Sequence, residues 1–349
     1  MEEAAYELST HLSRFASVRL VKWSRSNKWL FLGLPYVVLS SLRALLFDKV
    51  DAIYIQDGLL APFGYVLRAF RKPVLITIHG RDITYRNKLY QLVVPGCVRS
   101  LDRIVCVSRA TMQECLRRGI QRDSLTVIPD GVCDSFHMTL NGAERDGLRQ
   151  QVSGRLGCDL AGKTVLLSVG RLVERKGFRR FVEDVLPHVI KQDDRCRYLI
   201  VGEGLQREEI QEAIERKGLK DHVFLLGQVD DELRRCLYNV SDVYVMPNIP
   251  VEGDMEGFGI VTLEASSCGL PVVASRLEGI QDAVKDGENG VLVEPGRADQ
   301  FADAILKLAR DAKGRDSFGR KAREFTLANF GWEKVAEGYL EEFERLAPG

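Results

Sequence analysis

Short apolar runs alternate along the chain with longer segments in which apolar residues recur at helical spacing. A buried strand followed by a helix, repeated many times, is typical of a parallel sheet with helices on both faces. The pattern therefore predicts an α/β protein with two doubly wound parallel sheets. The predicted strands are Ser17–Trp23, Asp51–Asp57, Pro73–His79, Arg103–Ser108 and Leu125–Pro129 in the first half, and Thr164–Val169, Tyr198–Val201, Val223–Leu226, Asp242–Pro247 and Val272–Ser275 in the second.

The segment Glu256–Glu264 contains the strongest candidate chemistry. It places two carboxylates eight positions apart around a Gly-Phe-Gly turn that leads into a helix. A helix N-terminus offers backbone N–H groups and a positive dipole end, which suit a phosphate. Glu264 lies about two helical turns beyond Glu256, on roughly the same face, and could reach a ribose diol. Two solvated helix glutamates are the alternative interpretation.

A basic turn follows the strand Thr164–Val169. Arg171 and Lys176 stand at the exit of this strand, where open α/β sheets bind ligands. A planar guanidinium and a compact ammonium suit a diphosphate leaving group, because negative charge grows on the phosphate as its bond to a sugar breaks. A solvated basic turn is again the alternative.

Two glycine-containing turns follow the strands that end near Val201 and Leu226. Backbone atoms in such turns, at Gly202 and close to Val229, can approach a flat nucleobase. The stretch Gly202-Glu203-Gly204 lacks the third glycine of the dinucleotide fingerprint, which argues against a nicotinamide enzyme.

In this order the motifs resemble the donor half of a family 4 glycosyltransferase with the two-lobed GT-B fold. The resemblance runs from Thr164 to Pro295, and weaker similarity covers nearly all the rest. It implies two Rossmann-like lobes that face a central cleft. An acceptor-binding lobe is expected over residues 1–150, a donor-binding lobe over 151–331, and a last helix within 332–349 that packs back on the first lobe.

The resemblance also assigns roles to the residues. It implies that Arg171 and Lys176 bind the donor diphosphate, that Glu264 holds the ribose, and that Glu256 lies beside the transferred sugar. The implied reaction is retaining, metal-independent transfer of mannose or glucose from a nucleoside-diphosphate sugar to a lipid, polyol or saccharide acceptor, without a cofactor. The implied donor-binding set is completed by Gly202, Val229, Gly257 and, through backbone amides, Phe258, Gly259 and Ile260.

The acceptor side is expected in the first half of the chain. The stretch from Thr77 to Asp82 resembles the family's turn after a strand, and His79 would face the reacting centre. His79 joins Arg171, Lys176 and Glu256 in the expected catalytic set, and Asp57, at the end of its strand, joins His79 as an acceptor contact. A histidine at a strand end is as often structural.

Composition and charge narrow the range of functions that the protein could have. The net charge is zero, which argues against a dedicated nucleic-acid binder. Residues 1–110 carry 16 Lys and Arg against 8 Asp and Glu, whereas the remainder carries 33 against 41, so a basic first lobe would suit an anionic acceptor or membrane surface. The eight cysteines form no C-x2-C pair, and we expect reduced thiols in a cytoplasmic protein.

The segment Trp29–Phe47 is the one membrane candidate. Gly33, Pro35 and Arg43 interrupt it, so it is not a clean spanning helix. A core helix with an apolar face is the favoured interpretation. The alternative is peripheral docking at the inner face of the cell membrane through this helix and Arg25, Lys28 and Arg43.

The start of the chain departs from the family pattern. The family opens with a strand and a glycine-rich loop, whereas this chain begins at the helix of Glu2–Ser9. The first strand of the first lobe is therefore expected to be missing, through a late-called start, a rearranged sheet, or a lobe that is damaged or completed by a partner. We favour the first. A non-catalytic or partner-dependent nucleotide-sugar-binding protein is the alternative function.

Overall fold

The computed structural model describes residues 2–22 and 30–346, and the chain divides into two compact units. Unit 1 comprises Met1–Ile128 with Trp332–Gly349, and unit 2 is Pro129–Gly331. The division falls after Ile128, whereas the sequence placed it near residue 150. Residues 142–156 of unit 2 form a helix that starts with a capping box between Asn141 and Glu144.

Unit 1 contains a parallel sheet, and four strands of the described residues build it in the order β1-β2-β3-β4. Neighbouring strands pair in register, as Ile55 does with Ile76. Strand β2 is buried along its whole length, as the continuous apolar run predicted. The strands are β1 (Ile53–Ile55), β2 (Val74–Ile78), β3 (Arg103–Cys106) and β4 (Leu125–Val127).

The predicted strand Ser17–Trp23 does not form over residues 17–22, and Trp23 lies outside the described residues. Val18 and Leu20 are exposed. A strand needs a partner for its backbone N–H and C=O groups, and the described sheet of unit 1 begins at β1, so this segment has none. The apolar pattern alone could not show that. No strand precedes β1 among the described residues.

Several helices of unit 1 pack on its sheet, and the helix that starts at Trp332 is one of them. Tyr339 bonds through its hydroxyl to Thr77 at 2.8 Å, and Glu342, which is buried, pairs with Arg103 at 2.5 Å. The helices are α1 (Glu2–Leu12), α2 (Leu30–Phe47), α3 (Ala61–Leu67), α4 (Arg81–Thr84), α5 (Lys88–Arg99), α6 (Arg109–Arg117) and α16 (Trp332–Leu346).

Helix α2 corrects the interpretation of Trp29–Phe47 as a core helix. Among its described side chains, residues 35–47, only Ala44 is buried, and Phe47 is 80% exposed. Tyr36, Leu39 and Leu46 are also more than half exposed, so the described elements of unit 1 leave apolar side chains of this helix uncovered. None of the helices over the described residues is long and apolar enough to cross a membrane. Trp29, Arg25 and Lys28 lie outside the described residues.

Unit 2 contains a six-stranded parallel sheet in the order β10-β9-β8-β5-β6-β7. The chain builds outward from β5 in one direction through β6 and β7, and then returns to add β8, β9 and β10 on the other side. The order therefore reverses beside β5, and such a switch point creates a crevice at the carboxyl ends of the strands. The strands are β5 (Thr164–Val169), β6 (Cys196–Val201), β7 (Val223–Gly227), β8 (Val243–Met246), β9 (Val272–Ser275) and β10 (Gly290–Val293).

Two apolar cores lie on the two faces of this sheet. Leu166 belongs to one core and Val165 and Leu167 to the other, because successive side chains of a strand point to opposite faces. Each core is closed by a layer of helices. These are α7 (Gly142–Leu156), α8 (Phe178–Arg180), α9 (Leu186–Gln192), α10 (Arg207–Arg216), α11 (Asp231–Val240), α12 (Ile260–Ser267), α13 (Ile280–Ala283), α14 (Ala298–Arg310) and α15 (Ala312–Phe330).

Candidate active site

The basic turn predicted after β5 packs against the end of β8. Gly177 has φ 68°, and a Cβ there would lie 2.0 Å from the carbonyl oxygen of Pro247. The N–H of Ile249 donates to the carbonyl oxygen of Arg175 at 2.9 Å. Since only glycine allows such an approach, Gly177 fixes the turn beside the segment that follows β8.

Lys176 and Glu256 form a buried ion pair in this crevice. Lys176 Nζ lies 2.6 Å from Glu256 Oε2, and both residues are buried. Burial raises the pKa of Glu256, but Lys176 and Arg175 outweigh it and hold that pKa below its ordinary value. Burial lowers the pKa of Lys176, and Glu256 opposes this change. The structure therefore places a carboxylate and an ammonium in contact at the switch point.

Polar side chains surround this pair and keep unused hydrogen-bonding capacity. Asn248 donates through Nδ2 to Glu256 Oε2 at 2.9 Å, and Arg175 Nε lies 3.6 Å from the same oxygen. Asn248 Oδ1 and Arg175 Nε are buried and have no hydrogen-bond partner within the part of the chain that the structure describes. Buried polar atoms without partners are rare, so these two are candidates to bind a ligand.

Helix α12 begins directly after this cluster. Its N-cap is Gly259, with φ 88° and no side-chain cap, and Phe258 before it is buried. The first turn, from Ile260, therefore keeps a glycine in the place where a capping hydroxyl or carboxylate would lie. This geometry leaves the N-terminus of α12 compatible with an external anion.

Glu264 is held by a residue that the sequence analysis missed. Tyr238, buried on α11, donates its hydroxyl to Glu264 Oε2 at 2.6 Å. Burial raises the pKa of Tyr238 well above its ordinary value, so the hydroxyl keeps its proton. This hydrogen bond orients the carboxylate of Glu264. No sequence signal connects two residues that lie 26 positions apart on different helices.

The two glycine turns expected to meet a nucleobase are neighbours. The N–H of Gly202 donates to the carbonyl oxygen of Gly227 at 2.8 Å, and a Cβ at Gly202 would lie 1.9 Å from the carbonyl oxygen of Gly170. Val229 follows the second turn and is half-buried. The ends of β5, β6 and β7 are thus in backbone contact, and Gly202 lies at the carboxyl end of its strand.

Unit 1 brings Asp57 and His79 to the carboxyl ends of β1 and β2. Asp57 caps the turn after β1 by accepting from the N–H of Leu59 at 2.8 Å, and His79 Nε2 lies 3.0 Å from the carbonyl oxygen of Gln56. Asp82 links the two ends, because its carboxylate accepts from the backbone N–H of His79 and of Gly58. Burial raises the pKa of Asp82.

The linking role of Asp82 was missed in the sequence, where it appeared only as the end of a motif. Its spacing, three residues after His79, was the available signal.

Across residues 2–22 and 30–346, no group of three or more His, Cys, Asp and Glu side chains could hold a metal ion.

Two family models match the chain, one for each half. The model described as "Glycosyltransferase Family 4" matches residues 4–136, and the model described as "Glycosyl transferases group 1" matches residues 160–325. Between them they include the candidate residues of both units.

Several relatives of this chain are mannosyltransferases by name, and two of them illustrate the similarity. The chain is 30% identical over 283 residues to the GDP-mannose-dependent α-(1-6)-phosphatidylinositol monomannoside mannosyltransferase of Mycobacterium tuberculosis, which covers 80% of this chain and 71% of the relative. It is 37% identical over 186 residues to the phosphatidyl-myo-inositol mannosyltransferase of Mycobacterium leprae. That match covers 53% of this chain and about half, 47%, of the relative.

Solved structures share the fold. HepE of Anabaena, in complex with UDP and glucose, has a TM-score of 0.74 at 22% identity over 89% of this chain and 82% of its own. Sucrose-phosphate synthase of Thermosynechococcus elongatus has a TM-score of 0.74 at 23% identity, over 98% and 92% of the two chains. These likenesses confirm the predicted fold class, two parallel-sheet α/β domains of the GT-B type.

Proposed function

We propose that this chain, which belongs to glycosyltransferase family 4, transfers a hexose from a nucleoside-diphosphate sugar to a lipid-linked, polyol or saccharide acceptor. The observation that carries this proposal is the buried pair of Lys176 and Glu256 at the switch point of unit 2. An ion pair buried in this way destabilises the fold as often as it stabilises it, so its presence favours a role in binding.

The donor diphosphate would bind between the basic turn and α12. Lys176 and Arg171 supply two cations, and the N-terminus of α12 supplies backbone N–H groups without a side-chain cap. The diphosphate carries more negative charge than Glu256, so it would draw the ammonium of Lys176 towards itself. Glu256 would then be available to the hydroxyls of the sugar, and Glu264 to those of the ribose.

We propose retention at the anomeric carbon and no requirement for a metal or cofactor. Negative charge develops on the diphosphate as its bond to the sugar breaks, and groups aimed at that charge beforehand stabilise the transition state. Lys176, Arg171 and the α12 N-terminus are such groups, so they could supply this stabilisation without a cation. Mannose is the favoured sugar because the relatives named above are mannosyltransferases, and one of them depends on GDP-mannose.

The acceptor would bind on unit 1, near His79 and Asp57, and we propose that unit 1 approaches it at an anionic membrane surface on the cytoplasmic side. Residues 58–101 contain seven Lys and Arg but a single acidic residue, Asp82, whose carboxylate is engaged by backbone N–H groups. On α5, Leu89 and Leu92 are 70% and 78% exposed and lie opposite the buried face of the helix. Basic and apolar groups together suit an anionic bilayer.

Nucleotide binding tests this proposal first. We would measure thermal shifts and calorimetric affinities for GDP, UDP and ADP, and then follow the release of GDP from GDP-mannose with candidate acceptors. The proposal expects one nucleotide to bind and its sugar conjugate to be turned over. Binding without turnover would support the nucleotide-sugar-binding alternative, and no binding of any nucleotide would reject the site.

A further inference from the structure

We propose that Glu278 is a positioning residue that holds the backbone of Glu256 in place for hexose transfer. The proposal rests on the function proposed for Glu256. Glu278 lies in the turn between β9 and α13, and neither the motifs nor the resemblance pointed to it.

Glu278 and its neighbour Gly279 engage both polar groups of the Glu256 backbone. Glu278 Oε2 accepts from the N–H of Glu256 at 2.5 Å, and the N–H of Gly279 donates to the carbonyl oxygen of Glu256 at 3.2 Å. Two consecutive residues therefore form hydrogen bonds to one peptide segment from a distant part of the chain. This contact fixes where the Glu256 side chain begins.

These hydrogen bonds require a close backbone contact that only glycine permits. A Cβ at Gly279 would lie 2.0 Å from the carbonyl oxygen of Gly257, closer than any real side chain approaches. The turn after β9 is thus pressed directly against the Gly-Phe-Gly turn that carries Glu256 into α12. Movement of one turn must be transmitted to the other.

Glu278 adopts a backbone conformation that glycine would adopt more easily. Its φ is 45°, and among the described residues Arg71 is the one other non-glycine residue with a positive φ. A left-handed glutamate persists only where the surrounding structure compensates for the strain, and such residues cluster at functional sites. The side chain of this left-handed residue accepts the bond from the Glu256 N–H.

The charge of Glu278 also argues against a purely stabilising role. Burial and the nearby Glu256 carboxylate raise the pKa of Glu278, and Arg175 opposes them. A second carboxylate beside Glu256, with Asp254 also acting on it, is electrostatically unfavourable. Glycine would remove both the strain and the repulsion, so the bond to the Glu256 N–H is what the glutamate side chain adds at this position.

Three substitutions separate positioning from stability. Glu278→Gly removes the acceptor and relieves the backbone, so we expect an equal or higher Tm and a fall in kcat of at least about tenfold, or roughly 1.4 kcal/mol of barrier. Glu278→Gln keeps an acceptor oxygen and should retain most of kcat. Glu278→Ala should lose kcat as Glu278→Gly does. The affinity for GDP should stay unchanged in all three.

Arg71→Gly is the matched control, because it relieves the other left-handed residue, at the end of a short helix in unit 1. It should leave kcat at the wild-type value. Wild-type kcat in Glu278→Gly, or an equal loss in Glu278→Gln, would overturn the proposal.

Amide hydrogen exchange tests whether Glu278 holds the backbone of Glu256, and it does not rely on turnover. Exchange at Glu256 and Gly257 should be faster in Glu278→Gly than in the wild type, and it should stay slow in Glu278→Gln. Unchanged exchange in Glu278→Gly would refute the positioning role, whether or not the wild type transfers a hexose. Faster exchange in Glu278→Gly, together with a wild type that shows no turnover, would support the positioning role and place the failure with the proposed function.

Discussion

Lys176 Nζ and Glu256 Oε2 meet at 2.6 Å at the switch point of unit 2, and neither residue is exposed to solvent to any large extent. Each charge depends on the other, because water cannot replace the lost partner. The same two groups are those that the proposed reaction uses. Stability and activity are therefore linked at this pair, and variants can separate them.

A single substitution of either residue of the pair should reduce both turnover and stability. In Lys176→Ala or Glu256→Ala we expect a fall in turnover of at least about tenfold, equivalent to roughly 1.4 kcal/mol. Each should also lose about 3–5 kcal/mol of unfolding free energy, because one buried charge is left unpaired. Steady-state kinetics and denaturant unfolding measure the two effects.

The double variant Lys176→Met with Glu256→Gln is the control for that pair. It removes both charges and should recover most of the unfolding free energy while turnover stays low. Wild-type turnover in either single variant would reject the site.

Acid should weaken the fold through Glu256. Its pKa is lowered in the folded state, so its contribution is complete above the ordinary glutamate pKa of 4.5 and is lost as the pH falls through the folded-state value. Thermal unfolding of the wild type and Glu256→Gln across this range measures the difference. The two curves should converge as the pH falls, and parallel curves would show that Glu256 contributes nothing to the acid dependence.

Tyr238→Phe should weaken donor binding more than turnover. The change removes the 2.6 Å hydrogen bond to Glu264, worth about 1 kcal/mol, and should raise the donor KM roughly fivefold with little change in kcat. Tyr198→Phe is the matched control, because it deletes an equally buried hydroxyl that bonds to Ser168 at 2.8 Å. That control should change stability alone, and equal KM values in both variants would contradict the role given to Tyr238.

The apolar face of α5 should control binding to anionic vesicles. Leu89→Ser with Leu92→Ser is expected to reduce co-sedimentation with vesicles of phosphatidylglycerol and phosphatidylcholine at low salt. Leu205→Ser, which changes a 94% exposed leucine in unit 2, is the control and should have no effect. The membrane proposal fails if the wild type does not sediment with the vesicles.

The parts of the fold that follow from local pattern could be predicted from sequence. Strand β5 and the turn after it were visible because a continuous apolar run ends at Gly170. The contact between Lys176 and Glu256 was foreseen only in outline, as two motifs at the same end of a parallel sheet. The exposed helix α2 was misjudged, because apolar composition does not show whether another element covers it.

The partners of the candidate residues could not be predicted. Tyr238 meets Glu264, and Glu278 meets Glu256, through contacts between separate elements whose spacing follows no helical or strand period. These contacts depend on how the ends of β8 and β9 come together, which only the folded sheet determines.

The position of α16 has a consequence for the order in which the chain folds during synthesis. Arg103 of β3 can form its ion pair only after Glu342 has been made, and Glu342 is translated 239 residues later. At about 5–20 residues per second, roughly 10–50 s of translation separate the two. All of unit 2 leaves the ribosome within that interval. Unit 2 can therefore complete its sheet before α16 is added to unit 1.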